Sequence, residues 1–136
     1  MAYDLQVPLA VAANANGSTT GVKGSIGFMM PAVVHYVGIV NKGATAATGG
    51  VIAFKRRPTA GSTAGETVFA TLTVPNPLAQ GRVLYKLANA TKFKVGDELV
   101  VEVTTANANL TSFDAIALVE HTHENLANAA DGVLSA

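Results

Sequence analysis

The stretch from Glu66 to Thr105 commits much of this chain to β structure. Along ETVFATLTV, Val68, Ala70, Leu72 and Val74 alternate with Thr67, Phe69, Thr71 and Thr73. Along ELVVEVTT, Leu99, Val101 and Val103 alternate with Glu98, Glu102 and Thr104. A period of two sends successive side chains to opposite faces of a strand, whereas a helix repeats at three and four. Between these runs, Val83, Tyr85 and Leu87 mark a further strand, with Arg82, Leu84 and Lys86 on its other face. Pro75-Asn76-Pro77 and Lys94-Val95-Gly96-Asp97 supply the turns, since neither proline can continue a central strand.

The rest of the chain follows the same grammar. Tyr3, Leu5, Val7, Leu9 and Val11 alternate with Asp4, Gln6, Pro8 and Ala10, which predicts a first strand. Pro8 has no amide hydrogen for a ladder, so this strand belongs at an edge. The small, polar segment from Ala12 to Gly24 reads as a flexible loop. Ser25 to Met30 suggests a short strand interrupted by Gly27. Ala32 to Asn41 is a strong strand, apolar on both faces, and is expected to lie centrally or at an interface. Val51 to Arg57 and Ser112 to Val119 complete the series. In the segment 121–136, Thr122 could cap a short helix from His123 to about Ala130, with an irregular tail as the alternative. Seven to eight strands with closely spaced turns predict one all-β domain over residues 1–136, either an antiparallel β-sandwich or a jelly-roll-like barrel.

Composition narrows the function. A chain of 136 residues can bury roughly two-thirds of its unfolded surface, enough for a core without the disulfides that its lack of cysteine excludes. Nine basic residues balance nine acidic ones, so the excess of positive charge that drives nucleic-acid binding is missing. Charged residues make up only 13%, which leaves mildly apolar surface available for a partner. The N-terminus lacks a basic region and carries Asp4, so no secretory leader is expected. The apolar run Ile26 to Val34 is too short to span a bilayer. Without a leader, the N-x-S/T triplets at Asn16, Asn89 and Asn109 are read as chance.

Few residues suggest chemistry. His121 and His123, beside Glu120 and Glu124, could place two imidazoles on one strand face, but no third metal ligand is evident. The preferred reading is a solvated strand end. Lys55, Arg56 and Arg57 form the densest positive patch, read as an edge strand kept soluble by charge, with an anion contact as the alternative. Asp97 is expected to bond its own turn instead of sharing a substrate with Glu98. Ser18, Ser25, Ser62, Ser112 and Ser135 lie outside any nucleophile motif, and His35 is read as a packed or interface residue. Gly49-Gly50 and Gly61 lack the lysine of a phosphate loop. Tyr3, Tyr36 and Tyr85 look too scattered to form a stacking platform. No enzyme activity, cofactor, metal or small-molecule substrate is expected, and the residues alone assign no partner-binding surface.

The run VIAFKRRPTAGSTAGETVFATLTVP, with QGRVLYKL and KVGDELVVEVTTA, resembles the capsid decoration, or cement, proteins of tailed bacteriophages. The likeness covers Val51 to Ala106 and is one of pattern and composition. It implies a virion protein made in the host cytoplasm and placed on the outer capsid surface. It further implies a homotrimer that bridges major capsid protein subunits, with no active site. Two other readings stay open: a receptor- or glycan-binding module of a phage fibre or spike, and a cupin-like metalloprotein.

Overall fold

Every strand among the described residues finds its partner by the same rule. The computed structural model describes residues 6–75 and 77–121. Its eight strands are β1 (Gln6–Ala15), β2 (Gly21–Gly27), β3 (Ala32–Asn41), β4 (Val51–Arg57), β5 (Thr67–Thr73), β6 (Val83–Phe93), β7 (Glu98–Thr105) and β8 (Phe113–His121). β1 pairs with β8, β2 with β7, β3 with β6 and β4 with β5, all antiparallel. These nested pairs describe one long hairpin with its tip between β4 and β5. Folding that hairpin over puts alternate pairs in two four-stranded sheets, ordered β1-β8-β3-β6 and β2-β7-β4-β5. This is the jelly-roll form of the predicted sandwich.

The core lies between the sheets. Val34, Val37 and Ile39 of β3 and Phe113, Ala115, Ala117 and Val119 of β8 come from one sheet. Ile52 and Phe54 of β4 and Leu99, Val101 and Val103 of β7 come from the other. Phe93 at the end of β6 stacks on Phe28, with ring centroids 4.7 Å apart, and meets Phe69 of β5 edge-on at 5.6 Å. This aromatic trio ties the two sheets at one end. β1 and β2 approach so closely at another point that a side-chain carbon on Gly24 would sit 2.3 Å from the Val11 carbonyl oxygen.

The sequence placed several elements well. β3 lies between β8 and β6, and β1, with Pro8, is an edge strand. Other expectations are corrected. Ala12 to Gly24 is not one loop: its first residues extend β1 and its last ones open β2. Ala12 and Ala15 are buried and pair with Ala115 and Phe113 across bulges. Small residues with poor strand propensity are drawn into a ladder here by the partner strand and the core. In β5, Ala70 and Leu72 point inward as expected, but Val68 is 53% exposed. The register shift opposite Phe54 and Lys55 turns Phe69 inward in its place. β4 has neighbours on both sides, so its cationic end is not an edge-strand device. Tyr3, the proposed helix, His123, Glu124 and Ser135 lie outside the described residues.

β6 also runs further than Leu87. Ala88, Asn89 and Ala90 form a bulge opposite His35, and both Asn89 and Ala90 have positive φ, at 54° and 50°. Left-handed backbone costs an alanine roughly 1–2 kcal/mol, partly offset by the entropy that glycine loses on folding. Ala90→Gly is therefore expected to stabilise the fold by about 0.5–1 kcal/mol, seen as a higher denaturant midpoint at unchanged slope.

Candidate interaction surface

The two outer faces of the sandwich differ in kind. On the β2-β7-β4-β5 sheet, antiparallel register sets Lys55 opposite Val100 and Arg57 opposite Glu98. Lys55 Nζ donates to Glu66 at 2.9 Å and lies 2.8 Å from Glu102. Arg57 bonds Glu66 and donates to Glu98 at 3.1 Å. Val100 is fully buried although its strand turns it away from the core, so these long side chains roof an apolar floor. Arg56, directed to the other side of β4, donates to the buried Asp97 at 2.9 Å.

The outer face of the β1-β8-β3-β6 sheet is apolar. Register aligns Gly38 with Ile116 on one side and Tyr85 on the other, and Tyr36 with Leu118 and Leu87. Val40 beside Val83, and Pro8 beside Leu118, extend this surface across all four strands. Tyr85 is 69% exposed, Val83 58% and Leu87 53%. Tyr36 and Tyr85 meet edge-on with centroids 6.2 Å apart. Between them Gly38 leaves a depression of about 210 Å³ with apolar walls that include Val40, Val83, Ile116 and Leu118. A side-chain carbon at Gly38 would lie 3.0 Å from the Leu84 carbonyl, so the close approach of β6 keeps the position small.

Paired polar groups close both ends of this face. At one end His35 Nε2 lies 2.7 Å from Glu120 Oε2. At the other, Lys42 Nζ lies 3.5 Å from Asp114, which also accepts the Asn14 amide hydrogen at 2.9 Å. An apolar centre with a polar rim is the anatomy of a protein interface.

No family model matches the chain, and no curated protein matches it. Among solved structures it is similar to the Eiger TNF of S. frugiperda, at 13% identity and a TM-score of 0.47 over 87% of this chain and 88% of that one. At that level the likeness adds nothing to the strand order.

The sequence candidates separate in space. Glu120 is taken up by His35, and among the described residues no group of three or more His, Asp or Glu could hold a metal ion. The cations of β4 each face a carboxylate, which leaves none of the three bare for an anion. Asp97 accepts the Lys94 amide hydrogen at 2.8 Å, the turn bond expected of it, and Glu98 points elsewhere, to Arg57. The tyrosines are the correction: Tyr36 and Tyr85 are far apart in sequence and adjacent in the sheet. Alternation identifies each as an outward or inward position, but only the β3-β6 register shows that they meet.

The ion-paired face predicts the response to pH. Hydrogen bonds from Arg57, then from Lys55, hold the Glu66 carboxyl below its ordinary value of 4.5. Burial works against charge on Glu98, but the Gly61 amide, the Ser25 hydroxyl and Arg57 together still hold it below 4.5. Bonds to Glu102 and then Glu66 raise Lys55 above 10.5. A carboxyl depressed on folding contributes stability above its unfolded pKa and loses it as pH falls through the folded one. A raised lysine contributes below its unfolded pKa and loses it as pH rises through the folded one. Thermal stability limited by these groups should hold between about pH 5 and 10, fall below 4.5 and fall again above 10.5. Glu66→Gln should lower the melting temperature at pH 7 and flatten the acid limb.

Proposed function

We propose that this chain is a structural virion protein that decorates the outside of a tailed-phage capsid, associating with its own copies and bridging major capsid protein subunits. The observation that carries this reading is the contrast between its two outer faces. One carries ion pairs across its middle, with Val22 and Val68 exposed singly beside them, and the other leaves two tyrosines, a valine and a leucine open to solvent side by side. A rigid jelly roll with an uncharged apolar face is built to bind broad surfaces. Several modest contacts made at once then hold a lattice through effective concentration. The sequence resemblance to cement proteins supplies the lattice in question.

The adjacent tyrosines favour one second reading, a glycan-binding module of a fibre or spike. Sugar sites pair aromatic surface with convergent hydrogen-bonding groups. The walls around Gly38 are apolar, which favours a protein partner.

The test is co-sedimentation with undecorated capsids of the phage that encodes the chain. Saturable binding at a fixed ratio to the major capsid protein is expected, together with greater resistance of the capsid to heat. Failure to bind capsids, with retention on host polysaccharide, would favour the glycan reading.

A further inference from the structure

We infer that the outer face of the β1-β8-β3-β6 sheet is where copies of this chain bind one another, with Tyr85 of one copy seated in the depression that Gly38 leaves on the next. The inference rests on the self-associating reading above and assigns it a surface.

Three features select a second copy as the occupant. The first is shape. The same face carries a projecting ring, Tyr85, and an apolar hollow bounded by Tyr36, Ile116 and Leu118. Knob and hole on one surface are what self-association requires, whether the operator is a two-fold or a closed ring.

The second is charge. No Asp, Glu, Lys or Arg lies among the central outward residues Tyr36, Gly38, Val83, Tyr85, Ile116 and Leu118. At one end Lys42 faces Asp114, and at the other Glu120 is engaged by His35, with Lys92 opposite Val33 nearby. Such a surface offers little to steer a polyanion or a charged lipid headgroup, and little to repel its own copy.

The third is extent. Four strands spaced about 4.8 Å apart, each about nine residues long at a rise of about 3.3 Å, cover roughly 19 Å by 30 Å before side-chain corrugation. That flat area, about 570 Å², is roughly 70% of the 800 Å² per partner of a standard interface, and projecting side chains such as Tyr85 add to it. Tyr36 lies on the inner strand β3 with Tyr85 beside it on β6, and tyrosine is among the residues that carry most binding energy.

The experiment compares the full chain with Tyr85→Lys and with Val68→Lys by sedimentation velocity over a wide concentration range. Val68 is the control, an exposed apolar position on the opposite sheet. Both substitutions sit at exposed sites, and matching circular dichroism and thermal melts would confirm folding. The parent chain is expected to be oligomeric at micromolar concentration. Tyr85→Lys is expected to raise the dissociation midpoint about 30-fold or more, with Val68→Lys unchanged. Hydrogen exchange of the parent chain on dilution provides a second measurement that needs no variant, and β3 and β6 should lose protection as the oligomer dissociates.

A monomeric parent chain would overturn the assignment, as would a folded Tyr85→Lys variant that associates normally. Capsid co-sedimentation of the same proteins keeps the two readings apart. An oligomer unaffected by Tyr85→Lys that still binds capsids loses the surface and keeps the function. An oligomer broken by Tyr85→Lys whose parent ignores capsids keeps the surface and loses the function. A parent chain that stays monomeric and binds capsids through Tyr85 would give the face to the shell and overturn the inference.

Discussion

Replacing Phe93 with alanine is expected to lower the unfolding free energy by about 4 kcal/mol, within the usual range for a buried aromatic. Phe93 is 2% exposed and touches two other rings, Phe28 at 4.7 Å and Phe69 at 5.6 Å. Phe69 belongs to the opposite sheet, so deletion opens a void between the layers and removes their aromatic contact together. Relaxation into the void is restricted. The Phe28 amide donates to the Asp97 carbonyl at 2.9 Å, and the Phe28 carbonyl accepts from Gly96 at 2.8 Å. Phe93→Leu keeps much of the volume but no ring geometry, and should cost about 1–2 kcal/mol. Denaturant unfolding checks both values. A loss below about 1 kcal/mol for the alanine variant would show that the trio does not tie the sheets.

How much of this was legible depends on what each residue needed to be read. β3 and β4 were visible with their final bounds, because β-branched and aromatic runs ended by turn residues need no partner to be recognised. Pro8 announced an edge on its own, through its missing donor. The end of β1 was not legible, because Ala12 to Ala15 owes its strand geometry to β8. Val68 was misread because a bulge is set by the pairing strand and shifts every side chain beyond it.

The interaction surface was hidden for a related reason. Val83, Tyr85 and Leu87 carry the expected alternation, but alternation alone does not say which face of the strand meets the core. The inner face of β6 is filled by Leu84, Ala88 and Phe93 instead. Lys86 escapes burial only because β6 is an edge, where its ammonium reaches sideways to the Thr71 carbonyl at 3.2 Å. An apolar row on the face of a strand that turns away from the core therefore says that this face has a second use. Which face that is follows from the sheet order, which a single strand does not contain.

Asp97→Ala is expected to cost about 3 kcal/mol, almost all of it at the end of the sandwich where two loops meet. The Asp97 carboxylate, 2% exposed, accepts from Arg56 at 2.9 Å and from the Lys94 amide at 2.8 Å. Alanine would leave a half-buried guanidinium without its counter-charge and reopen the turn that leads into β7. The two losses can be separated. Asp97→Asn retains an acceptor for the Lys94 amide and loses the charge, so it should cost about half as much. Removing the stranded cation too, in Arg56→Met with Asp97→Ala, should recover part of the loss, giving a coupling energy of at least about 1.5 kcal/mol in a double-mutant cycle. Additive effects would mean that Asp97 acts through its turn alone. The substitution lies away from the apolar face of the other sheet, so the folded fraction should associate as the parent chain does. A weakened oligomer in a well-folded Asp97→Ala protein would place the contact between copies at this end of the sandwich instead of on Tyr85.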